Sequence, residues 1–88
     1  MLYLVAYRSD RGGDPDRVGA VVCDLSANSW KACDNVWVIE SGQPATALRD
    51  RIRHELAENE AVIVALLAGH AAWHGFERDS LDWLLAHL

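Results

Sequence analysis

With 88 residues, the chain has room for one domain, residues 1-88, with a modest hydrophobic core. Its 51% hydrophobic and 24% charged content is that of a folded globular protein and not of a disordered one. A formal net charge of -5 argues against a surface that binds nucleic acid over its whole extent, because phosphate binding is driven by Lys and Arg. The arginines fall mainly into two local groups: Arg8, Arg11 and Arg17, then Arg49, Arg51 and Arg53.

Leu2 to Tyr7 has the aromatic and branched content of a strand, and the polar, Gly-containing stretch Arg8 to Asp14 ends it. A helix follows, with Asp14 as N-cap, Pro15 and Asp16 in its first turn, and Val18, Val21, Val22 and Leu25 on one face. Trp30 to Cys33 reads as a short strand, Asp34-Asn35 as a turn, and Val36 to Glu40 as the next strand. Ser41 to Pro44 breaks the chain before a second helix, predicted over about Ala45 to Glu58. Leu48, Ile52 and Leu56 line one side of it, and Asp50 with Arg53 and Arg51 with Glu55 are available as surface pairs. Ala61 to Ala68 fits a buried strand or a buried helix, and its Val-Ile-Val centre favours the strand. A last helix is predicted from Asp79 or Ser80, presenting Leu81, Leu84, Leu85 and Leu88.

Strand, helix, two strands, helix and strand, plus the C-terminal helix, fold most economically as an α/β two-layer sandwich of ferredoxin-like type. Three of its strands carry apolar side chains at odd and even positions alike, so neither sheet face can stay wet. Two helices cover only one face. The other is left for the C-terminal helix, a second chain or both, since a contiguous apolar patch of that size is rare on a monomer.

A strand ending in Val5-Ala6-Tyr7, then a helix, then Asn35-Val36-Trp37-Val38-Ile39-Glu40, resembles the small CRISPR-associated adaptation subunit and its ferredoxin-fold relatives, which include the VapD-type toxin ribonucleases. The resemblance spans residues 1 to 68 by element order. The ending Phe76 to Leu88 is similar to other small members of the family and not to the CRISPR subunit itself. The resemblance implies a homodimer paired through its sheets. Nucleases of the family place an aspartate directly after the first-strand tyrosine to hold Mg²⁺ or Mn²⁺; here that position is Arg8, and a guanidinium cannot ligate a metal. Asp10 is the substitute if the loop bends it back, and Arg8 and Arg11 are candidate phosphate contacts.

Other groupings carry less. His70 and His74 have helical zinc-ligand spacing without a third ligand. Ser9, His54 and nearby aspartates lack a nucleophile turn, and Gly12-Gly13 lacks the phosphate-loop spacings and reads as a turn. Cys23 and Cys33 form no C-x-x-C pair or secreted framework. They read as small, buried or half-buried reduced thiols of a cytoplasmic protein. No leader precedes the first strand, and the longest apolar stretch is far below the ~18 residues of a membrane span.

Tyr3, Tyr7, Trp37, Trp73 and Trp83 are the candidate interface aromatics, with core as the alternative for Trp37 and a protein partner at the C-terminal group. The expectation is a cytoplasmic homodimeric binding or scaffolding module without a cofactor or a metal site. The rivals are a Mg²⁺- or Mn²⁺-dependent ribonuclease using Asp10 and a regulator sensing a small ligand at the subunit junction. Nucleic acid is a further candidate partner.

Overall fold

A computed structural model describes residues 1–10, 12–68, 72 and 74. The elements run β1 (Leu2–Arg8), α1 (Pro15–Asp24), β2 (Asn28–Cys33), β3 (Val36–Glu40), α2 (Ala45–Arg53) and β4 (Ala61–Leu67). The strands form one antiparallel sheet in the order β2-β3-β1-β4. The ambiguous stretch Ala61 to Ala68 is thus a strand over Ala61–Leu67, and the described residues form a mixed α/β globule of four strands and two helices.

Local chemistry sets the breaks. Asp14 holds extended backbone and accepts the Asp16 N–H at 3.0 Å, and Pro15 occupies the first turn, where its missing donor costs nothing. At the β2-β3 turn Asn35 adopts φ 62, a left-handed conformation that Asn tolerates better than most residues. Helix α2 ends at Arg53, short of the predicted Glu58. Its last turn tightens through bonds from the Glu55 N–H to the Ile52 carbonyl and from the Leu56 N–H to the Arg53 carbonyl. The Ala57 N–H is then taken by the Glu60 carboxylate at 2.6 Å, so a side chain replaces the next helical bond.

Both helices lie on one sheet face. Val18 and Val22 of α1 and Leu48 and Ile52 of α2 pack with Tyr3, Val5, Tyr7 and Ile39 in one buried cluster. The opposite face gathers Leu2 and Val38 with Leu4, Trp30 and Leu67. Pairing registers fix this division: Val5 faces Trp37 and Val64 across its two neighbours, while Leu4 faces Val38 and Ala65. The predicted C-terminal helix lies outside the described residues.

The register also corrects the interface assignment. Tyr3 and Tyr7, at 3% and 8% exposure, belong to the chain's own helix-covered core. Trp37 is half-buried against the same cluster. Each tyrosine has a partner within the subunit: the Tyr3 hydroxyl donates to the Gln43 carbonyl at 2.7 Å, and the Tyr7 hydroxyl accepts the Trp37 indole N–H at 3.3 Å. Cys23 and Cys33 are free, as expected, but exposed instead of buried, one on α1 and the other at the end of an edge strand.

Candidate functional site

Three places combine accessible side chains with a defined geometry: the exit of β1, a cleft under α1, and the β4 edge. At the exit, Arg8 closes the strand and its Nη2 donates to the Asn59 carbonyl at 2.7 Å. Its Nε lies 3.8 Å from Asp10 Oδ1, two residues on, an arrangement that side chains on one face of extended chain reach without a bend. Both side chains are more than half exposed, which makes the pair weak in energy. Arg11, the other candidate phosphate contact, lies outside the described residues.

Gly13 connects this exit to the turn before β4. The Glu60 carboxylate accepts the Gly13 N–H at 3.2 Å as well as the Ala57 N–H, so one side chain fastens the β1-α1 loop to the α2-β4 turn. A Cβ on Gly13 would lie 2.1 Å from Glu60 Oε1 and 2.8 Å from Ser9 Oγ, which explains glycine there. Gly12, at φ 114, needs glycine for its backbone instead. Ser9 is 4% exposed and its Oγ has no hydrogen-bond partner among the described residues. Glu60 and Asn59 were missed from the sequence because their roles arise from partners about 50 residues away. Asn59 at φ 71 resembles any turn asparagine.

The cleft has a volume of ≈ 670 Å³ and lies between α1 and the β2-β3 hairpin. Tyr7 and Trp37 are among its lining residues, as are Gly19 of α1 and Lys31 of β2. Lys31 is paired with Trp37 in the ladder and shares its sheet face. Asp16 and Asp34 also line it.

At the β4 edge, Ile63 and Leu66 are 61% and 53% exposed, on opposite faces of the strand. β4 reads Ala-Val-Ile-Val-Ala-Leu-Leu and carries no charge or proline to discourage pairing. The arginines of α2 are engaged as predicted: Arg51 with Glu55 and Arg53 with Asp50, at 3.8 and 4.0 Å. Arg17 also reaches Glu55, at 3.2 Å, tying α1 to α2.

Among the described residues no three His, Cys, Asp or Glu side chains come together to hold a metal ion. No helix among them is long and apolar enough to cross a membrane. Trp73, Trp83 and His70 lie outside the described residues. No family model, curated protein or solved structure matches the chain.

Proposed function

We propose that the chain is a ferredoxin-like subunit that pairs with a second copy of itself and serves as a binding or scaffolding module, in the manner of the small CRISPR adaptation subunit but without its metal-dependent nuclease centre. The observation that carries this reading is the β4 edge, unguarded among the described residues, with Ile63 and Leu66 held largely in water there. An apolar edge strand offers both a row of unpaired backbone groups and greasy area to a second chain. Arg8 at the strand end supports the loss of the metal centre, because its guanidinium repels a cation and is bonded to the Asn59 carbonyl. It also leaves donors at the surface for phosphate. Sedimentation equilibrium of the full chain at micromolar concentration tests the pairing: a dimer is expected, and a monomer at every concentration would reject it.

A second reading rests on Asp10, whose carboxylate lies beside Arg8 at the end of β1. Two such carboxylates related by a dimer axis would hold Mg²⁺ or Mn²⁺ for phosphodiester cleavage of RNA. It predicts metal-dependent RNA cleavage that Asp10→Asn abolishes. Cleavage that survives this substitution removes Asp10 from the chemistry.

A further inference from the structure

The cleft under α1 joins a glycine, two aromatic side chains and charged groups of both signs. Gly19 is a mid-helix glycine with ordinary backbone geometry, a position where almost any other residue makes a better helix. Its missing side chain lets the Tyr7 hydroxyl and the Trp37 ring come close to α1 at the floor of the cleft, since a Cβ would lie 3.2 Å from Tyr7 Oη and 3.6 Å from Trp37 Cζ2. The Tyr7 hydroxyl accepts the indole N–H, so its own proton is left to donate. No acceptor for that proton occurs among the described residues. Around this floor stand one cation, Lys31, and two carboxylates, Asp16 and Asp34, none in an ion pair among the described residues.

We propose that this cleft binds a small zwitterion with an aromatic body, in the chemical class of a free aromatic amino acid. A ligand with only a positive group would leave Lys31 and the Tyr7 proton unanswered. One with only a negative group would meet Asp16 and Asp34. A zwitterion answers both: its carboxylate takes hydrogen bonds from Lys31 and Tyr7, its ammonium is neutralised by Asp16 and Asp34, and its ring lies against Trp37. The volume, ≈ 670 Å³, falls within the usual range for small-molecule sites. The cleft lies on the helix side of the sheet, at the opposite end of the strand order from β4, so it does not depend on pairing.

The test is a titration of the full chain with L-phenylalanine, followed by the NMR shifts of the Trp37 indole N–H and the Gly19, Lys31 and Asp34 amides. Phenethylamine, without the carboxylate, and 3-phenylpropionate, without the ammonium, serve as half-ligands. The expected result is saturable binding of phenylalanine at about millimolar concentration, as befits a ligand of this size, with each half-ligand weaker by about tenfold or more. Lys31→Met should weaken phenylalanine about tenfold and leave phenethylamine unchanged, and Lys31 is exposed, so the fold survives the change. The proposal is overturned if these positions show no saturable shift, if a half-ligand binds as tightly as phenylalanine, or if Lys31→Met weakens both ligands equally. Repeating the titration with Ile63→Ala, which should leave binding unchanged, separates this outcome from the fate of the pairing.

Discussion

Ile63→Ala removes apolar surface that the subunit itself barely covers. Fully burying an Ile side chain is worth about 1.5–3 kcal/mol, and at 61% exposure roughly 1–2 kcal/mol of that remains to be gained when a partner covers it. A two-fold dimer contains the residue twice, so the substitution costs the dimer about 2–4 kcal/mol, or a rise in dissociation constant of roughly 30- to 1,000-fold. The subunit loses less than about 1 kcal/mol, the range of strand propensity at a solvent-facing position. Sedimentation equilibrium across a hundredfold range of concentration reads the first quantity, and urea unfolding at the lowest concentration reads the second. An Ile63→Ala protein that dimerises as tightly as the parent, with or without a change in unfolding midpoint, would refute the argument that this edge drives assembly.

Other substitutions probe the subunit. Ile52 is fully buried between α2 and the sheet, so Ile52→Ala should cost about 2–5 kcal/mol in chemical denaturation and leave any dissociation constant of the surviving native protein unchanged. Gly13→Ala drives a methyl group against the Glu60 carboxylate and should destabilise by about 1–3 kcal/mol. In the Glu60→Ala background the same change should cost clearly less, which a double-mutant cycle measures. Asp14→Ala removes the cap of α1 and should lower unfolding free energy by about 0.5–2 kcal/mol. By contrast Arg17→Ala, which breaks an ion pair with an arginine that is mostly in water, should change the urea midpoint hardly at all.

Local signals were legible where the cause is itself local. The cap at Asp14 with Pro15, the Asp34-Asn35 turn and the strand character of Val62-Ile63-Val64 all depend on a few neighbouring residues. What failed depended on parity and distance. Alternation shows that Tyr3, Val5 and Tyr7 share a face, but a strand apolar on both sides does not reveal which face the helices cover. Tyr3 and Tyr7 therefore looked equally suited to an interface. Their burial is secured by the Gln43 carbonyl and the Trp37 indole, 40 and 30 residues along the chain. The early end of α2 has the same origin. Leu56 keeps the helical spacing and still packs on the core, but Glu60 reaches back to Ala57, and no periodicity registers a side chain that caps from beyond the helix. Gly13 and Gly19 were similarly opaque, since what each avoids touching is set by the tertiary fold.

The two edges of the sheet differ in a way that bears on how far assembly would go. β2 carries Lys31, and its pairing with β3 shifts register between Lys31 and Cys33, an irregularity that bends an edge away from straight pairing. β4 pairs with β1 in unbroken register from Leu2 with Leu67 to Arg8 with Ala61 and has no such guard among the described residues. Joining β4 to β2 of the next copy would leave the same two edges free at every step and grow an open array. With β2 guarded, β4 has only another β4 to meet, and an antiparallel pair of identical edges is closed by a two-fold axis. In the proposed assembly the association therefore stops at two copies. Larger species that grow with concentration would mean that β2 is not protected and that the choice of β4 over β2 was mistaken.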